Sequence, residues 1–453
     1  MKKIVFIITL LIGYNVFAQP ELPLLQVSAN KRFFQTSDGK PFFWLGDTGW
    51  LLFTKCDDEQ TIHYLDMRKQ QGFNMVQAMV LHTLAAVNTT GDSALINKDI
   101  SKPNINGGAK GYWNHIEFVI TEAAKRGIYI GLVPIWGGNV KSGKITVQQA
   151  EAYAKFLAER FGKYNNIVWL NGGDIPGSEK MEVWKAIGAT IKKYDPRHLE
   201  TFHPRGRYSS STWFHKEPWL DFDMFQSGHQ DYSQDTSSKE INHYGEDNWK
   251  YVNVDYKLLP VKPTIDGEPS YENIPHGLHD SLQPRWQPAD IRRYAYWSVF
   301  AGGAGFTYGE NAIMQFHSDL KKRGSFGVNQ VWTATIDAPA AKQMQYLKNL
   351  MLSENYFDRT PAQSIVANNA GAKYNYVLAT KGKNYAMVYT YTGKELNIDI
   401  SKLGFAPIKA YWYDPKNGQK TAIADVKKSG IVQFDPPGKE GEGNDWVLVL
   451  KKM

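Results

Sequence analysis

The sequence predicts an α/β fold: a (β/α)8 TIM barrel with a C-terminal antiparallel β-sandwich. Three observations lead there. Short apolar runs alternate eight times with amphipathic stretches between residues 42 and 352. The runs are apolar at consecutive positions, as strands buried on both faces are, which points to a parallel sheet wrapped by helices. After Asn355 the pattern changes to period-two alternation broken by Gly and Asn turns, the mark of an antiparallel sandwich. A doubly wound open sheet is the competing architecture, but no run leads into a glycine-rich dinucleotide-binding loop.

The chain opens with Met-Lys-Lys, an apolar run from Ile4 to Phe17, and Ala18-Gln19. A basic start, a short apolar centre and small residues at Val16 and Ala18 read as a secretory signal peptide over 1–18. The run is shorter than the ~20 residues a membrane span needs. No Cys stands at the cleavage site to carry a lipid, and no later segment is apolar enough to span a bilayer. The expected destination is the periplasm or the cell exterior.

Residues 19–358 are expected to form the barrel. "LQVSANKRFFQTSDGKPFF" alternates and turns at Asp38-Gly39, predicting a hairpin that closes the barrel bottom. The eight strands are read at "FFWLGDT" (42–48), "MVQAMVL" (75–81), "YIGLVPIW" (129–136), "IVWLNGGD" (167–174), "LETFHP" (199–204), "DMFQSGH" (223–229), "PTIDGEP" (263–269) and "GFTYGEN" (305–311). Helical patterns fill the gaps. "DEQTIHYLDMRKQQG" and "YWNHIEFVITEAAKRG" each stop at a capping Gly, followed by "TVQQAEAYAKFLAERFG", "EKMEVWKAIGATIKKYDP", "PADIRRYAYWSVFAGG" and "APAAKQMQYLKNLML". The sandwich is read over 359–453, beginning near Arg359-Thr360-Pro361.

Composition narrows the function. The formal net charge of +7 falls to +5 once Lys2 and Lys3 leave with the signal peptide, and no dense Lys/Arg block remains, so nucleic acid is not an expected partner. Cys56 is the only cysteine, which excludes an intrachain disulfide. The 11 His are scattered without H-E-x-x-H or a Cys–His cluster, and there is no G-x-S-x-G elbow or phosphate loop; no metal and no cofactor are expected. His276 and His279 read as loop or subsite residues. Aromatic content of 13%, with 14 Trp and 25 Tyr, supplies ring faces suited to sugars as well as to core packing.

In a barrel the C-terminal strand ends line the active-site mouth. Here they carry Asp47 and Trp50, then Gln77 and His82, Trp136, Asn171 and Asp174, His203 and Arg205, Gln226 and His229, Asp266 and Glu268, and Tyr308 and Glu310. Any one of these could be a turn residue or a helix cap. Together they form the mixture of carboxylates, amides, imidazoles and indoles that an oligo- or polysaccharide needs. Asp174 and Glu268 follow strands on roughly opposite sides of the mouth and are the candidate catalytic pair. A protonated carboxyl gives a proton to the leaving oxygen, while an ionised one attacks the anomeric carbon or activates water. The plainer readings are a helix cap for Asp174, an internal salt bridge for Glu268, and helix capping for Asp47. Asp266 is expected to be a core-layer or supporting carboxylate, and Glu310 to hold a sugar hydroxyl or orient Glu268.

"KPFFWLGDTGWLLF", "YLDMRKQQGFNMVQ", "IVWLNGGD", "IDGEPSYE" and "AYWSVFAGGAGFTYGEN" resemble the apiosidase-like glycoside hydrolases (family 140 type). "YAMVYTYTGKELNIDISKL", "AYWYDPKNGQ" and "DWVLVL" are similar to the collagen-binding-type β-sandwich module that follows the barrel in those proteins. The resemblance implies a retaining hydrolase with Asp174 of "NGGD" as acid/base and Glu268 of "DGEP" as nucleophile. It also implies release of apiose-linked side chains from a pectic glycan. A non-catalytic glycan-binding protein on a barrel scaffold is the alternative; it would keep the aromatics but has no need of two carboxyls at strand ends.

Overall fold

The computed structural model describes residues 21–236, 244–368, 370–426 and 429–453. The predicted signal peptide, 1–18, lies outside the described residues. The chain first forms a small antiparallel sheet of β1 (Leu25–Val27), β2 (Phe34–Thr36) and β3 (Pro41–Phe42), turning at Asp38-Gly39 as the sequence suggests. Phe34 packs edge-on to Phe222, and Phe42 edge-on to Tyr129, at the N-terminal ends of barrel strands. This sheet therefore plugs the bottom of the barrel.

The barrel strands follow: β4 (Trp44–Thr48), β5 (Met75–Met79), β6 (Tyr129–Val133), β7 (Ile167–Ile175) and β8 (Glu200–Pro204). A short antiparallel β9 (Tyr208–Ser209) precedes β10 (Asp223–Gln226), β11 (Thr264–Asp266) and β12 (Gly305–Tyr308). The sheet runs β8-β7-β6-β5-β4-β12-β11-β10-β9, parallel except for β9. It closes on itself where the Asp221 amide donates to the Glu200 carbonyl and Thr201 Oγ1 to the Phe222 carbonyl. All five residues of β4, β5, β6 and β8 are buried, as strands between a packed interior and a helical coat must be. Helix Trp249–Asp255, between β10 and β11, is one that the apolar pattern does not single out.

The C-terminal strands are β13 (Thr360–Pro361), β14 (Leu378–Lys381), β15 (Tyr385–Thr390), β16 (Leu396–Asp399), β17 (Ile408–Tyr413), β18 (Lys420–Val426), β19 (Ile431–Phe434) and β20 (Trp446–Lys452). Six of them form one antiparallel sheet, β13-β14-β15-β20-β17-β18, and β16 pairs with β19. Among the described residues no helix is long and apolar enough to cross a membrane.

Candidate active site

The two candidate carboxyls reach the barrel mouth by different local devices. On β7 the ladder with β8 is regular to Gly172 and resumes only at Ile175, so the intervening residues bulge outward. Gly172 (φ 90°), Gly173 (φ 116°) and Asp174 (φ 48°) all take positive φ. A Cβ on Gly173 would come within 2.7 Å of the Trp136 ring, and one on Gly172 within 2.6 Å of the His203 carbonyl. Only glycines fit there, and they swing Asp174 off the strand line into the mouth. On β11 the extended chain continues through Gly267, whose amide donates to the Phe225 carbonyl and whose missing side chain makes room for Met224. The next residue, Glu268, enters the barrel mouth.

Glu268 is buried and gripped from two sides. His229 Nε2 hydrogen-bonds Glu268 Oε1 at 3.2 Å. His203 Nε2 stands 3.2 Å from Oε2, close in charge terms but off the hydrogen-bond line. The Asp174 amide donates to His203 Nδ1 at 3.4 Å, so the other ring nitrogen, Nε2, faces Glu268. One imidazole thus connects both carboxyl-bearing segments.

These surroundings set the two acids apart. Burial raises Asp174, the negative charge of Glu268 raises it further, and His203 and His229 only partly offset this, so its carboxyl sits at about 6. Part of the Asp174 side chain opens to solvent, yet the walls of the cleft crowd it enough for desolvation to dominate. Burial would also raise Glu268, but the contacts and charge of the two histidines overcome it and hold that carboxyl at about 2. A carboxyl that keeps its proton beside one that loses it is the division of labour acid–base chemistry needs.

A cavity of about 240 Å³ opens over the pair, walled by Trp50, Met79, Trp136, Tyr271 and Phe326. Trp50 and Trp136 lie 5.3 Å apart, and Trp50 meets His203 edge-on at 5.2 Å. A second lobe of about 260 Å³ shares Asp174, Gln226, His229 and Leu278 with the first and adds Arg205, Arg207 and His279. Of the residues singled out in the sequence, Trp50, Trp136, Asp174, His203, Gln226, His229 and Glu268 come together here, with Arg205 in the adjoining lobe.

The others lie elsewhere. Asp47 is fully buried against the helical coat, paired with Arg68 Nε at 2.6 Å and hydrogen-bonded by Tyr64. It neither caps a helix nor reaches the cleft. Asn171 ties β7 to the Trp184 carbonyl, and Tyr308 donates to Glu272. Gln77 reaches across the barrel to the Gly267 carbonyl and so holds the segment before Glu268. His82 lies outside both lobes, with its side chain pushed toward the neutral form by burial and by Lys55. Glu310 caps helix Asn311–Met314 and faces a separate cavity. Asp266 is fully buried, bonded by Ser227 and Asn248 and raised by burial to about 7.

Tyr271 is the main residue that sequence reasoning passed over. Its hydroxyl accepts from Trp50 Nε1 at 3.1 Å, its ring packs edge-on to His229 at 4.7 Å, and burial and the Glu268 charge drive its phenol strongly upward. Its signal was present in "EPSY", three residues after Glu268.

Residues 28–358 match the family described as "Apiosidase-like, catalytic domain", and residues 360–451 match "Putative collagen-binding domain of a collagenase". A glycoside hydrolase family 5 protein from Bacteroides vulgatus ATCC 8482 superposes with TM-score 0.91 at 43% identity, covering 95% of this chain and 94% of that one. A second solved structure, described as a glycoside hydrolase, gives TM-score 0.91 and 43% identity over 95% and 97% of the two chains. A family 5 mannosidase from Rhizomucor miehei shares the fold alone, at TM-score 0.51 and 12% identity over 74% of this chain and 100% of that one. Among curated proteins none matches. A closed barrel, two oppositely tuned carboxyls in an indole-walled cleft and a family match over most of its length together make this chain a member of the apiosidase-like glycoside hydrolases.

Proposed function

We propose that this protein is an exported, retaining glycoside hydrolase that cuts a complex plant cell-wall glycan of the pectic kind. One arrangement carries the reading: Glu268, held ionised between His203 and His229, shares an indole-walled cavity with the proton-bearing Asp174. In the first step a Glu268 oxygen attacks the anomeric carbon, the glycosidic C–O bond breaks, and the Asp174 proton passes to the leaving oxygen. In the second, Asp174, now ionised, takes a proton from water, and the water oxygen displaces Glu268 from the sugar. His203 and His229 keep Glu268 charged, and Tyr271 and Trp50 fix the wall beside it. Export is supported by the leader-like segment 1–18, and the pectic substrate by the family to which the chain belongs.

The test is a pair of variants assayed on pectic side-chain oligosaccharides and aryl glycosides. Asp174→Ala and Glu268→Ala should each lower turnover by about 10²–10⁴-fold while the protein stays folded. Azide should then give an azido-sugar of retained configuration with Asp174→Ala and of inverted configuration with Glu268→Ala. A sugar-bound crystal structure should place the carboxyls about 5–5.5 Å apart, whereas about 6.5–9.5 Å would mean inversion. Near-wild-type turnover in either variant sinks the assignment.

A further inference from the structure

His229 and Glu268 meet beyond the last rung of the strands that carry them. The parallel pairing of β10 with β11 ends at Phe225 and Asp266, so neither residue is placed by that ladder. Past the rung the first chain turns at Gly228, where φ is 83°, before His229 comes round to the mouth. The 3.2 Å contact between His229 Nε2 and Glu268 Oε1 still needs both segments in register.

The Asp266 side chain extends the pairing where the backbone ladder stops. Its Oδ2 accepts from Ser227 Oγ at 2.7 Å and its Oδ1 from the Ser227 amide at 3.4 Å. One carboxyl thus grips Ser227, two residues before His229, by side chain and backbone at once. The Glu268 amide, two residues along its own chain, donates to the same carboxyl. Asn248 Nδ2 donates to Oδ2 at 2.9 Å and to the Tyr294 carbonyl at 2.8 Å, which fixes the carboxyl to helix Pro288–Phe300. Asp266, Ser227 and Asn248 are all buried, where such bonds are strongest. Burial lifts the Asp266 carboxyl to about 7, and its bond to Ser227 survives protonation, because a hydroxyl accepts as well as gives.

We propose that Asp266 is a positioning residue for the hydrolysis: it locks the segment Ser227 to His229 against Glu268, so that His229 Nε2 stays on Glu268 Oε1. The proposal rests on the catalytic reading above. Asp266 lines neither lobe of the cleft, so it acts through His229 and Glu268 and not on the sugar. Asp174 from β7, His203 from β8, His229 after β10 and Tyr271 after β11 all face Glu268. Of these, His229 is the one whose segment Asp266 grips. Without that grip His229 drifts, burial is less opposed, and the Glu268 carboxyl rises from about 2.

The test sets Asp266→Ala and Ser227→Ala against Asn166→Ala, which removes two buried hydrogen bonds at the bottom of the barrel. Carbon-13 NMR follows the Glu268 carboxyl, and kcat and KM are measured across the acid range. Asp266→Ala should raise the Glu268 midpoint from about 2 by about one unit or more and move the acid limb of kcat with it. Ser227→Ala should move both the same way by less, and Asn166→Ala should move neither. At pH 5 Asp266→Ala should lower kcat about tenfold or more while KM holds. Ser227→Ala deletes only a hydroxyl and keeps the test open if Asp266→Ala does not fold. Two results would overturn the proposal. One is an unmoved Glu268 midpoint in Asp266→Ala, or in Ser227→Ala should the first not fold. The other is a fall in kcat that is equal at every pH and matched by Asn166→Ala. The titration needs no turnover, so a protein with no hydrolase activity whose Glu268 midpoint still moves would overturn the catalytic reading and leave the clamp standing.

Discussion

At pH 5 Asp174 holds its proton and Glu268 does not, although free in water the two side chains titrate close together. The hydrolytic rate should therefore fall as pH rises through about 6, where Asp174 ionises, and hold down to about 2, where Glu268 protonates, as far as the fold survives. After burial, Glu268 is what raises Asp174 most, so Glu268→Gln should shift the Asp174 titration downward in carbon-13 NMR. An unmoved Asp174 would contradict the coupling. Stability carries the opposite signs of the two shifts. Asp174 binds its proton more tightly folded than unfolded, so it weakens the fold as pH rises from its ordinary 3.8 to about 6. Glu268 stabilises above its ordinary 4.5, and that contribution is lost as pH falls toward 2. Calorimetry at pH 7.5 should find Asp174→Asn with a higher melting midpoint than the wild type and Glu268→Gln with a lower one. At pH 3.5 the gain from Asp174→Asn should vanish.

At the scale of elements, the β7 bulge decides whether the acid reaches the mouth. Gly173→Ala would need a non-glycine residue at φ 116° with its Cβ 2.7 Å from the Trp136 ring. The backbone strain alone is about 1–3 kcal/mol. The variant should lose at least that much in denaturant unfolding and lose turnover beyond it, because Asp174 is displaced; a stable, fully active variant would show that the bulge does not aim the acid. The glycines and the acid were legible in "NGGD", and so were all eight strands, because apolar runs and helical periodicity are local patterns. What was not legible is which way a polar residue faces. A strand buried on both sides has no alternation to mark its inner face, so Asp47, Asn171 and Tyr308, which point to the helical coat, looked the same in sequence as Gln226 and His229, which line the cleft. Tyr271 and Phe326 come from loops, whose path depends on tertiary packing, and had no periodic signal at all.

At the scale of the whole molecule, the C-terminal sheet serves two cores at once. On β15, Tyr385, Met387 and Tyr389 join the barrel's core, while Ala386 and Val388 join the sandwich's own; on β20, Val447 and Val449 divide from Leu448 and Leu450 in the same way. Helix Pro288–Phe300 lies between, every residue from Ile291 to Phe300 buried, with Tyr296 stacked on Tyr389 at 4.8 Å. The seam is pinned by Arg292, which grips Asp445 through Nε at 2.8 Å and Nη2 at 2.6 Å. Both partners are buried, so removing one strands the other's charge. Asp445→Ala should destabilise the protein by about 3–5 kcal/mol, whereas replacing both partners with apolar residues of similar volume should recover most of that loss. If barrel and sandwich share one cooperative unit, urea unfolding followed by tryptophan fluorescence and by far-ultraviolet circular dichroism will show one coincident transition that Asp445→Ala moves to lower urea as a whole. Two separated transitions, with only the second moved, would mean that the sandwich is an independent passenger and that the catalytic barrel stands without it.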